Sequence, residues 1–266
     1  SLLLSSCLYE RQLAERFVRE WTRPALLLLP PQAVLRENLK KDVLEGRKGL
    51  SEAQERQILF DSSLYLKAIS DSVLLETYMN ALISELRLQG YIVYTDQELD
   101  SFLRYQGEAY ILDVAQFLVE EYTIPYEARE MFDDTIIYFK HFDLNAVSLN
   151  SWFELTQVNT ETEMRRAYYA SHYVVDELQG RFFRNPLKGN VVFKYKRYPM
   201  ELEDVYQLAA LLGHKYAGWL TDQFLNGYIE EALPEGLEPE AWIRYERASG
   251  RFVRDGEERF MRIEPQ

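Results

Sequence analysis

Leu13, Phe17 and Trp21 recur every four residues between Glu10, Arg11, Glu15, Arg16 and Glu20, which predicts an amphipathic helix within residues 8–22. Its polar face mixes both charge signs, so its apolar stripe suits docking on the protein's own body better than a membrane surface, which favours a basic polar face. Arg23-Pro24-Ala25-Leu26-Leu27-Leu28-Leu29-Pro30-Pro31 is apolar without alternation. That pattern predicts a central strand covered on both faces, and the two prolines end it for want of amide hydrogens. Residues 32–70 carry a weaker pattern: Lys40, Lys41, Arg47 and Lys48 read as a solvated basic face, and Ser51-Glu52-Ala53-Gln54 as a helix start.

From Ser70-Asp71 onward the periodicity sharpens. Leu75, Tyr78, Met79, Leu82 and Leu86 form one helical stripe that Gly90 stops, and Tyr91-Ile92-Val93-Tyr94 reads as a strand. Thr95 and Glu98 make a capping box for a helix running through Phe102 to Gly107. Tyr110–Tyr122 follows as a long strand, Pro125–Asp134 as a turn region, and Thr135–Phe142 and Ala146–Gln157 as strands. A helix is expected from Thr160-Glu161-Thr162-Glu163 to Gly180, carrying Ala167, Tyr168, Tyr169, Tyr173, Val174 and Leu178. Val191–Lys196 is a strand and Leu202–Leu233 a long helix. Gly213, Gly218 and Gly227 in that helix point to a break or to close packing. The tail, with Trp242–Tyr245, Phe252–Arg254 and Phe260–Ile263 around turn residues, reads as a small antiparallel meander. The expected fold class is therefore α/β (α+β), a mixed sheet flanked by helices with a C-terminal helix and meander.

Composition narrows the function. Apolar residues at 47% and charged residues at 27% describe an ordinary globular chain, and 19 Tyr with 14 Phe supply large packing faces. A net charge of −13 argues against a nucleic-acid partner and against electrostatic adhesion to anionic lipid. One Cys excludes an intramolecular disulfide and cysteine-based zinc sites.

Local motifs for chemistry are sparse. No phosphate-binding Gly-rich loop, dinucleotide fingerprint or nucleophile elbow occurs. His141, His172 and His214 lack the i,i+4 spacing of a helical zinc site and read as packing or solvated positions. Glu120-Glu121 and Asp133-Asp134 lack calcium-loop spacing and read as a solvated edge guarded by charge. Tyr168-Tyr169 and Phe182-Phe183 are candidates for a sugar- or protein-binding face. No catalytic residue, metal ligand or cofactor site is assigned.

Leu4-Ser5-Ser6-Cys7 holds the single cysteine, follows the run Leu2-Leu3-Leu4, and resembles the lipobox of bacterial outer-membrane lipoproteins. That resemblance implies a signal-peptide remnant over residues 1–6, cleavage before Cys7, and a covalent lipid on Cys7 as the only attached group. Residues 7–22 would then be a lipid tether and amphipathic helix. Residues 23–158 are expected to form an α/β domain, and residues 159–266 a helical C-terminal extension with the meander, packed on the first domain. The segment 23–158 resembles the periplasmic α/β domain of the curli secretion lipoprotein, the lipoprotein activators of peptidoglycan synthases, and the amino-terminal domain of TolB. The resemblance rests on the Arg23–Pro30 strand, the Asp71–Tyr94 helix and strand, Gly107-Glu108-Ala109-Tyr110-Ile111-Leu112, and the long strand Val147–Val158. It departs at Glu108 and in the insertion 32–70.

Together these resemblances imply a non-enzymatic lipoprotein serving as accessory or scaffold subunit of an envelope machine for outer-membrane protein assembly, secretion or wall-synthesis regulation. Its partners would be outer-membrane or periplasmic proteins, reached by tethered recruitment. Leu8, where an inner-membrane retention signal would place Asp, favours the outer membrane. Leu8-Tyr9-Glu10-Arg11 matches poorly the acidic run of surface-exported Bacteroidota lipoproteins, which favours the periplasmic face. A glycan- or peptidoglycan-binding lipoprotein and a carboxylate-dependent hydrolase are the alternatives.

Overall fold

The computed structural model describes residues 2–158, 165–185, 189–254 and 257–263, with side chains from Tyr9 onward. Helix α1 (Leu2–Glu20) leads into β1 (Ala25–Leu29) and β2 (Val34–Asn38). A 3-10 turn at Lys41–Leu44, α2 (Glu52–Asp61) and α3 (Asp71–Leu88) precede β3 (Ile92–Tyr94). Helix α4 (Leu99–Leu103) then gives way to two strands of 24 residues each, β4 (Ala109–Phe132) and β5 (Thr135–Val158). Strands β6 (Arg165–Val175), β7 (Glu177–Arg184) and β8 (Val191–Tyr198) precede α5 (Leu202–Ala232). The chain ends with β9 (Ile243–Glu246), β10 (Arg251–Arg254) and β11 (Met261–Ile263).

The fold is mixed α/β, as expected. Seven strands form one sheet in the order β11-β6-β5-β4-β1-β3, with β2 also pairing β4. Strands β1 and β2 run parallel to β4 along the same edge, β1 against Ala109–Asp113 and β2 against Phe117–Glu121. A register shift in β4 between Asp113 and Gln116 lies level with Pro30-Pro31, which supply no amide to the ladder. Strand β1 is covered on both faces: Leu26 and Leu28 join the main core, while Ala25 and Leu27 pack with Phe102 of α4.

Helices α3 and α5 cover one face of the sheet. They approach closely at Gly213, where an added Cβ would sit 2.5 Å from the Tyr78 carbonyl oxygen. Helix α5 is continuous through its three glycines, so close packing at Gly213 is what the sequence signalled. The stripe of α1 docks on α5, burying Leu13, Ala14 and Phe17 against Leu225, Ile229 and Leu233. The capping boxes at Ser51 and Thr95 are formed as the sequence suggested.

Three local expectations are corrected. Pro125–Phe132 is not a turn region but the far half of β4, paired with a single unbroken β5 apart from a bulge at Ile137. The expected helix up to Gly180 is β6 and β7; its proposed start, Thr160–Glu163, lies outside the described residues. Tyr168 and Ala170 are buried and the residues between are not, a period of two that helical spacing had masked. The terminal meander is only half formed: β9 and β10 pair, but β11 crosses to β6 and adds an edge to the main sheet.

Candidate binding surface

Beyond Glu121 strand β4 has lost β2, and before Ala146 strand β5 has not yet met β6. From Tyr122 to Asn145 the two strands pair in that sheet only with each other, making an arm about 35 Å long at ~3.3 Å per residue. Its tip is a two-residue turn, Asp133-Asp134, with both φ values positive at 48° and 61°. Both values belong to the mirror-image turn that matches hairpin twist.

The arm is apolar and exposed. Met131, Phe132, Ile136, Ile137, Tyr138 and Phe139 are all largely solvent-facing, Phe132 at 72%. At its base the Asp143 and Asn145 backbone is bonded to Arg197 and Asp176; beyond that no further strand pairs with either edge among the described residues, which leaves a template for pairing with another chain. One face is partly covered by the β7–β8 hairpin. Tyr138 meets Phe182 at 6.1 Å, and Phe142 meets Phe193 and Tyr195 at 5.6 and 4.7 Å.

Buried polar groups fix the base of the arm. The Glu121 carboxylate is fully buried and accepts from Lys40 Nζ at 2.6 Å and from the amides of Leu64 and Tyr65 at 2.9 Å. Lys40 also donates to Asn145 Oδ1 at 2.9 Å. Glu121 is therefore no solvated edge residue, contrary to expectation, because its side chain points to the helix-covered face while its neighbour Glu120 points to the other. Asp176, between β6 and β7, accepts from the Asn145 and Met200 amides and from Arg197. Burial pushes the Asp176 carboxyl up, but the hydrogen bonds from Met200, Arg197 and Asn145 outweigh it and hold it below the ordinary carboxylate value. These two acids tie the arm, the hairpin and the start of α5 to the body.

The sheet face opposite α3 and α5 carries a second strip. Trp152 and Tyr169 pack across β5 and β6 at 4.8 Å. Tyr169 donates its hydroxyl to Asn150 Oδ1 at 2.9 Å, and Asn150 Nδ2 donates to Glu120 at 2.8 Å. None of these side chains joins an apolar core cluster of the described residues. At one end Asp113 stands opposite Glu154, and its carboxyl is raised by burial and then by the Glu154 charge.

The sequence candidates scatter. Strand alternation splits each aromatic pair: Tyr168 is buried against Phe260 while Tyr169 faces outward, and Phe182 faces the arm while Phe183 faces away. His141 lies 3.1 Å from Glu127 on the arm, and His214 lies 3.3 Å from Glu85. His172 sits between Tyr216 and Lys215, each at 3.1 Å, and burial, followed by the Lys215 charge, lowers its pKa. The three histidines are not brought together, and no metal-ligating cluster occurs among the described residues. Asp133-Asp134 stays exposed at the arm tip. The backbone of Cys7 lies within α1, and its side chain is outside the described residues.

Sequence reading also missed Asp222. It lies on α5 in a shallow cavity of about 270 Å³ with Glu85, His214, Lys215 and Arg244. Burial raises its pKa to about 7 against a hydrogen bond from the Tyr245 amide and the Arg244 charge. Two larger grooves, of about 580 and 600 Å³, run beside Arg166 and Trp242 and beside Pro30-Pro31. Both open to solvent. Among the described residues, no helix is long and apolar enough to cross a membrane.

No family model matches the chain, and no curated protein matches it. Among solved structures it is similar to a Helicobacter pylori protein described as a neuraminyllactose-binding hemagglutinin homolog. The two are 11% identical, the TM-score is 0.29, and the match covers 79% of this chain and 95% of that one. At that TM-score the likeness carries no argument about fold or ligand.

Proposed function

We propose that the protein is a non-enzymatic, lipid-anchored scaffold subunit of an outer-membrane envelope machine, and that the β4–β5 arm is its contact with a protein partner. The observation that carries this reading is the arm itself: an apolar, open-edged ladder standing clear of a body that is well packed without it. A patch of that kind marks an interaction site. The Leu4-Ser5-Ser6-Cys7 resemblance supports attachment through Cys7, and recruitment to a plane would raise the arm's effective concentration near membrane partners. The resemblance to curli secretion and synthase-activator lipoproteins supports the same class.

The test places a photo-reactive residue at Phe132, or at the also exposed Leu211 of α5, in a tagged full-length chain in its own cells. Crosslinking from Phe132 to an outer-membrane or periplasmic protein, absent from Leu211 and weakened by Cys7→Ala, is the expected result. Equal crosslinking from both positions, or none, contradicts the reading.

A second reading rests on the sheet face opposite α3 and α5, where the half-buried rings of Trp152 and Tyr169 lie beside Glu120, with the buried Asn150 bridging Tyr169 and Glu120. Such a strip suits a saccharide, including wall glycan. Saturable binding of solubilised wall fragments that Trp152→Ala abolishes would favour it over the arm; no change in binding with Trp152→Ala would remove it.

A further inference from the structure

The outer face of the β7–β8 hairpin, turned away from the arm, opposes the charge of the chain that carries it. Of the six Lys and Arg in residues 177–198, Arg181, Lys194 and Lys196 share this face with one acid, Glu177, in a protein whose net charge is −13. The register sets Arg181 directly across from Lys194, and Lys196 lies across from Gln179 on the same face. Like charges placed directly opposite destabilise a strand pair. A chain so rich in acids had the means to neutralise this pair and did not.

Aromatic rings hold the cations in place. Arg181 and Lys194 both lie over Phe183, at 4.3 and 5.0 Å, and Lys196 lies over Tyr198 at 4.3 Å. Val192 and Tyr198 on the same face are exposed. The other face supports this arrangement: Gly180 leaves room for Phe193, which would stand 2.4 Å from an added Cβ, and so lets the hairpin lie flat on the arm.

We infer that this face docks on an anionic phospholipid surface. Its charge is complementary to such a surface, and Phe183, Val192 and Tyr198 suit the headgroup boundary, where amphipathic rings and apolar chains settle while Lys and Arg reach phosphates. A nucleic acid fits less well. Three cations neutralise too few phosphates, the rings are already capped by the cations and offer no base platform, and the acidic remainder repels a polyanion that wraps. A planar membrane touches only the projecting face.

The test uses the unlipidated full chain with vesicles of phosphatidylcholine alone or mixed with phosphatidylglycerol. Binding is expected only to the mixed vesicles, and it should fall steeply with added salt. Each cation near such a surface contributes about fivefold, so R181Q/K194Q/K196Q should lower affinity about a hundredfold. Circular dichroism and thermal melting establish that this variant is folded, and R181K, which keeps the charge, should bind almost as the parent does. Equal binding to both vesicles, no binding by the parent, or full binding by the folded triple variant overturns the inference. Tighter binding to a single-stranded oligonucleotide than to the mixed vesicles overturns the lipid assignment.

Discussion

The body and the arm share two strands, and almost nothing else about them is alike. Within Ala109–Glu121, β4 pairs with β5 on one edge and with β1 and then β2 on the other, interrupted only at the shift after Asp113, and sends Leu112, Val114, Phe117 and Val119 into the main core. Along Tyr122–Phe132 the same strand has one neighbour and leaves most of its large side chains in water. In the body, apolar burial specifies the fold, and the buried carboxylates of Glu121 and Asp176 are held by hydrogen bonds. In the arm, apolar residues bury little, and the proposed partner contact rests on that difference. The contrast separates residues that make the structure from residues the structure presents.

Substitutions that break this contrast rank by burial. Glu121→Ala strips Lys40 of its carboxylate and leaves two buried amides without an acceptor, and is expected to cost about 3–5 kcal/mol in chemical denaturation. Phe117→Ala, in the core beside Tyr78, belongs in the same range. The matched arm substitution, Phe132→Ala, is expected to change stability by no more than about 0.5 kcal/mol. Equal losses at Phe117 and Phe132 would show that the arm is structural.

Next come two of the shifted acids, Asp222 and Asp176, whose signs are opposite. Asp222 is raised to about 7, so between the ordinary carboxylate value and that value the folded state keeps a proton that the unfolded chain has released. Stability from this group therefore falls as pH rises through that window and is level above it. Asp222→Asn should flatten that slope and add up to about 4 kcal/mol at pH 8, read from denaturation midpoints across pH. Asp176 is held below its ordinary value, so its contribution is complete above that value and disappears as pH falls through the folded one. Asp176→Asn should cost about 1.5–3 kcal/mol at neutral pH and little in acid.

Much of the body was legible in the sequence. The Leu26–Leu29 run, the Ser51 and Thr95 capping boxes and the α3 stripe each carried a local signal that agreed with the final packing. The long α5 was equally plain, and Gly213 announced close packing. Failures came where tertiary pairing overrode local cues. Pro125 read as a break, yet Pro125–Phe132 is held as strand by a partner 24 residues long. The Tyr168-Tyr169 segment satisfied helical spacing while its β-rich composition went into β6.

The candidate site was harder to read for a related reason. Exposed apolar residues on an arm look like core residues in a sequence: Ile136-Ile137-Tyr138-Phe139 reads as a buried strand yet is exposed on both faces. An overall charge of −13 does not describe its local distribution: Arg181, Lys194 and Lys196 share one face of the β7–β8 hairpin, which only the strand register shows. Glu120-Glu121 presented one motif and two fates, fixed by which face of β4 each occupies.

The most direct test shortens the arm and leaves the body intact. Residues 129–139 are replaced by Asn-Gly, joining Ala128 to Lys140, which already face each other in register. A denaturation midpoint close to that of the parent, with loss of crosslinking or co-purification of the envelope partner, is the result this account predicts. A body that unfolds, or a partner retained undiminished, would contradict it.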